Sequence, residues 1–118
     1  MRRPRMDMGL CVWSNKAHRY YPLERIRKRG GAVVDELDRR RLLVYIDPVD
    51  NTPAALYTEA VECNWRGSEL YLDTGEILRE GGLFESRGGT RSITRPMQLF
   101  TRWYGCAYTF PGCEVFGD

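Results

Sequence analysis

MQLFTRWYGCAYTF, residues 97–110, is the densest apolar block of the chain, with five aromatic side chains and one arginine closed by Pro111. Leu99, Trp103, Cys106 and Phe110 follow a 4, 3, 4 spacing, and Phe100, Tyr104 and Ala107 flank the same stripe. That period predicts an aromatic helix over about 97–110 that lays the stripe on a core. Aromatic rings bury large areas and dominate the energetics of cores and interfaces, so this block is both the fold's best anchor and its best candidate for a site.

Outward from the block, the periods change. Gly9 to Trp13 reads as a strand bounded by the turn-prone Ser14-Asn15, and Ala17 to Tyr21 returns antiparallel to it. Pro22 suits the first turn of a short helix over about 22–29, which Gly30-Gly31 stops. Glu24 near its start and the basic residues near its end have the favourable sense for the helix dipole. Ala32 to Leu37 and Arg41 to Ile46 form a hairpin around Asp38-Arg39-Arg40. Two prolines in Asp47 to Pro53 end the second strand, and Ala54 to Asn64 is read as a strand. From Trp65 the turn signals Arg66-Gly67-Ser68, Asp73-Thr74-Gly75, Gly81-Gly82 and Arg87-Gly88-Gly89 come quickly, the mark of an antiparallel meander.

These elements make an α+β chain in which β predominates, curled into a barrel-like or sandwich core, as a single compact domain over 1–118. With 118 residues, 42% hydrophobic and 29% charged, the composition is that of an ordered globular domain able to bury about two-thirds of its unfolded surface. No apolar run reaches bilayer-spanning length, and the opening MRRPRMDM lacks the hydrophobic stretch of a signal peptide; cytoplasmic residence with no membrane contact is the expectation. Cys11, Cys63, Cys106 and Cys113 include no C-x-x-C, so neither a zinc knuckle nor a thioredoxin-like pair is indicated, and in a reducing compartment they are most simply thiols. No metal or cofactor is expected.

Net charge is +2, yet residues 1–41 carry +7 and residues 42–118 carry −5. Such asymmetry fits an anionic ligand, an acidic partner surface, or oppositely charged faces meeting in a homo-oligomer. The near-neutral total argues against a dedicated nucleic-acid binder.

Gly9-Leu10-Cys11-Val12-Trp13, Lys16 to Leu23, Val33-Val34-Asp35-Glu36 and Leu42 to Tyr45, together with Phe100 to Gly105, Phe110-Pro111-Gly112 and the closing Glu114-Val115-Phe116, resemble the prokaryotic family known as domain of unknown function 3179. The resemblance covers about the first 46 and last 20 positions. It implies a strand, a turn into a helix, two further strands and an aromatic C-terminal segment. Many longer members carry a Cys-Pro-x-Cys element that invites a thiol redox interpretation. The matching place here reads Tyr45-Ile46-Asp47-Pro48-Val49-Asp50, with the proline but neither cysteine.

No complete catalytic set is legible, so the expected function is a small ligand-binding or interaction domain rather than an enzyme. Arg102, Trp103, Tyr104 and His18 are the candidate pocket residues, because arginine on an aromatic ring makes a platform for anions or planar rings. His18 is the sole imidazole, which as a lone residue is more often structural. Cys106 and Cys113, seven apart across Pro111-Gly112, are the candidate redox couple of a thiol-dependent oxidoreductase. Arg25, Arg27, Lys28 and Arg29 are the candidate anion-binding or nucleic-acid face, which otherwise is a solvated helix face. Asp35 and Glu36, adjacent on a strand, point to opposite faces and cannot form a carboxylate dyad.

Overall fold

A computed structural model describes residues 3–118. The order is β1 (Met8–Trp13), β2 (His18–Pro22), α1 (Leu23–Lys28), β3 (Ala32–Leu37), β4 (Arg40–Ile46), β5 (Pro53–Tyr57), β6 (Cys63–Arg66), β7 (Glu69–Leu72), β8 (Glu76–Arg79), β9 (Gly82–Glu85), β10 (Thr90–Arg91), β11 (Met97–Arg102), α2 (Trp103–Thr109) and β12 (Glu114–Val115). The strands form three sheets, ordered β11-β1-β2-β12, β3-β4-β5 and β10-β9-β8-β7-β6, and β predominates with two short helices. All pairings are antiparallel except β12 on β2. Among the described residues no sheet closes into a barrel; the sheets stack face to face.

The stacking follows from β4. Its burial runs unbroken from Leu42 to Ile46, the pattern of a strand covered on both sides. Leu42, Val44 and Ile46 turn with Val33, Leu37 and Ala55 toward Leu10, Val12 and Tyr21 of the first sheet and Ile26 of α1. Leu43 and Tyr45 turn with Leu56 toward Leu70, Leu72, Leu78 and Leu83 of the meander. The first sheet is also covered twice: Cys11 and Tyr20, on its outer face, pack under Trp103 and Cys106 of α2 and against Cys113, with Val115 of β12 beside Tyr20 in the same sheet. The order of layers is therefore α2, first sheet, β3-β4-β5, meander.

Local chemistry fixes the joints. The β3–β4 hairpin turns through Asp38 and Arg39, both at positive φ, with Leu37 opposite Arg40. A two-residue loop with both residues left-handed matches the twist of the strands, and aspartate tolerates it better than most side chains. The helix α1 ends where the Gly31 N–H donates to the Ile26 carbonyl and the Gly30 N–H to that of Arg27, both glycines at positive φ.

The C-terminal block differs from the helix expected over 97–110. Met97–Arg102 is an edge strand paired with all of β1, and the helix begins only at Trp103. Leu99, assigned by its spacing to the helical stripe, lies opposite Cys11 and is 57% exposed. The N–H groups of Trp103 and Tyr104 donate to the carbonyls of Asp7 and Arg5, so the segment before β1 satisfies the start of α2. The strand read over Ala54 to Asn64 is likewise two strands, β5 ending at Tyr57 and β6 starting at Cys63. Among the described residues no helix is long and apolar enough to cross a membrane.

Candidate functional site

The outer face of α2 carries an apolar groove of about 590 Å³. Trp103, Tyr104, Ala107 and Tyr108 of the helix form one wall, Gly112 and Cys113 the other, and Arg5 stands at the rim. Helical spacing explains the wall: Trp103 and Cys106 turn inward, which leaves Tyr104 and Tyr108, one turn apart, pointing out. Tyr108 is 89% exposed. The Arg5 guanidinium lies over the Tyr104 ring, 5.6 Å from its centroid, and no carboxylate among the described residues lies within ion-pairing distance of it.

Behind this groove lie three sulfurs. Cys11 of β1 and Cys106 of α2 form a disulfide with 5.8 Å between their Cα atoms, closing a span of 95 residues. This corrects the expectation that all four cysteines are thiols. Cys113 stays outside the bridge and holds its Sγ 3.5 Å from that of Cys106 and 3.4 Å from the Glu114 carbonyl. The three Sγ atoms lie within 4.8 Å of one another and all three residues are buried. Reduced, they would be a soft three-thiolate set; bridged, Cys11 and Cys106 have no lone thiolate to offer an ion. The proposed couple Cys106 and Cys113 is thus in contact, but the bond joins Cys106 to Cys11.

The other candidate residues are dispersed. Arg102 turns away from the groove and donates to the Met6 carbonyl at 3.3 Å. His18 stacks on Phe110, centroids 5.1 Å apart, at the far end of α2, and its buried Nδ1 has no hydrogen-bond partner among the described residues. Trp103 and Tyr104 share the groove with neither. Arg25 is drawn off the basic helix face to donate to the Phe116 carbonyl and to Asp118, each at 2.7 Å, and Arg29 lies over the Phe116 ring; Arg27 and Lys28 remain exposed. Asp35 and Glu36 do point apart: Asp35 accepts from Tyr21 Oη at 2.7 Å and from Arg19 at 2.8 Å, between the first two sheets. Burial pulls the Arg19 guanidinium down, but hydrogen bonds to Glu114 and Asp35 more than offset it, and its pKa lies above the ordinary arginine value.

A larger basin of about 860 Å³ opens between the β3–β4 tip and the meander, but its groups are mostly engaged with one another. Arg91 pairs with both Glu76 and Glu85, Arg41 donates to the Glu59 carbonyl, and Arg40 stacks 3.4 Å from the Tyr57 centroid. Reading the sequence missed Arg5, Tyr108 and Cys11 as neighbours of the site. Tyr108 carried a signal, four residues after Tyr104; Arg5 and Cys11 did not, because the strand pairing that brings them there is long-range. Scans against protein-family models, curated proteins and solved structures each return no match.

Proposed function

We propose that this protein is a binding domain whose α2 groove takes a planar apolar molecule bearing an anionic group. The carrying observation is the pairing of two projecting tyrosines with one rim cation, Arg5, that has no carboxylate partner among the described residues. Aromatic walls supply sequestration of apolar area, and a guanidinium supplies orientation through a bidentate contact with a carboxylate or sulfonate. The fold kinship suggested by the first 46 and last 20 positions belongs to the same reading and assigns no reaction.

Titration calorimetry with naphthalene-2-sulfonate tests it. Saturable binding that Arg5→Ala weakens about tenfold and Tyr108→Ala weakens similarly is the expected result. No binding, or binding indifferent to both substitutions, overturns it.

A second reading, thiol chemistry, is favoured by the 3.5 Å contact between Cys113 and the bridged Cys106. Cytoplasmic residence fits such a bridge only if it opens and closes, because structural disulfides belong to oxidising compartments.

A further inference from the structure

Three buried sulfurs are one more than a structural bridge uses. A disulfide is broken by a thiolate that attacks one sulfur and expels the other, so a third cysteine in contact with a bridge holds the reactants of that step already together. Here the contact is selective. Cys113 Sγ lies 3.5 Å from Cys106 Sγ, it approaches from the turn after α2, and it belongs to the same buried cluster as Tyr20, Trp103 and Val115. The distance is that of sulfurs in contact, so proximity replaces a collision; because all three Sγ atoms lie within 4.8 Å of one another the approach is oblique to the S–S bond, and attack along its axis follows a turn of the Cys113 side chain.

We infer that the three cysteines form an internal thiol–disulfide exchange site in which the bridge moves from Cys11–Cys106 to Cys106–Cys113. The Cys113 thiolate forms the new bond to Cys106 Sγ; the Cys106–Cys11 bond breaks, its electron pair leaves on Cys11 Sγ, and Cys11 takes up one proton for the one Cys113 gave up. One disulfide and one thiol stand on each side, so the step needs no outside oxidant or reductant.

The two bridges do different mechanical work. Cys11–Cys106 spans 95 residues and staples α2 onto β1. Cys106–Cys113 spans seven and ties α2 only to its own following turn, leaving the helix held on the sheet by packing and by the two N–H bonds to Asp7 and Arg5. Exchange therefore moves a staple off the sheet and exposes nothing but a Cys11 thiol beneath the helix. This inference rests on the sulfur geometry and stands whether or not the groove binds an aromatic anion.

The test is disulfide mapping of the intact oxidised protein. Samples held between pH 5 and pH 9 are quenched in acid, digested at acid pH so that exchange stops, and read for peptides cut within 107–112, which separate Cys106 from Cys113. Expected, at one fixed holding time, are Cys11–Cys106 alone at pH 5 and a share of Cys106–Cys113 that grows toward pH 9, because only the thiolate attacks and the rate of exchange rises with pH. In the Cys11→Ser protein, glutathione disulfide closes Cys106–Cys113; in the Cys113→Ser protein the original bridge persists at every pH. Should the Cys11→Ser chain not fold, the wild-type pH series decides by itself. A wild-type protein showing only Cys11–Cys106 at pH 9 overturns the inference, and so does a folded Cys11→Ser protein that gives glutathione adducts without an internal bridge.

Discussion

Gln98 pairs with Ala55 through both ends of its amide: Oε1 accepts from the Ala55 N–H at 2.8 Å and Nε2 donates to the Ala55 carbonyl at 3.0 Å. A side chain on the edge strand β11 thus does for β5 what a neighbouring strand would do, and it ties the first sheet to the second where their edges meet. Ala55 is fully buried, so its N–H has no water to turn to. Gln98→Ala should cost about 2 kcal/mol, read as a lower urea midpoint at unchanged slope. A loss below about 0.5 kcal/mol would show that the edge is not closed this way.

Gly9 and Gly105 separate two kinds of crowding. A Cβ on Gly9 would sit 2.5 Å from the Tyr21 carbonyl and 2.6 Å from the Tyr20 ring, both fixed. At Gly105 the nearest atom is Thr101 Oγ1, 2.8 Å away, on a side chain able to rotate. Gly9→Ala is therefore expected to destabilise by about 3 kcal/mol and Gly105→Ala by under about 1 kcal/mol, measured side by side by denaturation. Equal effects would refute the distinction.

Tyr20 and Tyr21 set the alkaline limit. Burial, then the neighbouring carboxylates of Asp7 and Asp35, push both phenols well above the ordinary tyrosine value, with Arg3 and Arg19 acting weakly the other way. Because the folded values are raised, their contribution is complete below the unfolded value of about 10 and is lost as pH climbs from there. Each tyrosine should add about 1.4 kcal/mol per pH unit to the fall in stability above pH 10. Denaturation midpoints at pH 9 to 11 should fall less steeply for Tyr20→Phe and Tyr21→Phe; identical slopes would contradict the assignment.

Cys63 offers a contrast to the sulfur cluster. Burial, and secondarily the Asp73 carboxylate, raise its thiol pKa. Its alkylation by iodoacetamide at pH 8 should run several-fold slower in the native protein than in urea. Equal rates would mean the side chain is open to solvent.

The fold was legible wherever the determinants are local. The β3–β4 hairpin, α1 with its glycine stop, and the closely spaced turns of the meander all rest on residues within a few positions of one another. The C-terminal block differs from its spacing because Trp103 and Cys106 are helical and Phe110 caps the helix, while Leu99, four residues before Trp103 by coincidence, belongs to a strand fixed by pairing with β1 about ninety residues away in sequence. Cysteine connectivity is hidden for the same reason: spacing favoured the local pair, and only the sheet brings Cys11 under Cys106. Trp103 and Tyr104 were found by their chemistry. Arg102 and His18 are linked to them by residue type alone: strand alternation turns Arg102 toward the Met6 carbonyl, and His18, on the same face as Tyr20, lies beneath Phe110 at the far end of α2.

The middle sheet is one peptide layer thick and has an interior on each side, with Leu43 facing one and Val44 the other. Neighbours along β4 therefore answer to different sets of constraints, whereas Val44 and Leu10, far apart in the chain, answer to the same one. In any set of related sequences, substitutions should be correlated across layers and nearly independent between adjacent positions of this strand. A designer could rebuild the meander-facing interior around Leu43 and Tyr45 while leaving untouched the one that supports the sulfur cluster and the α2 groove.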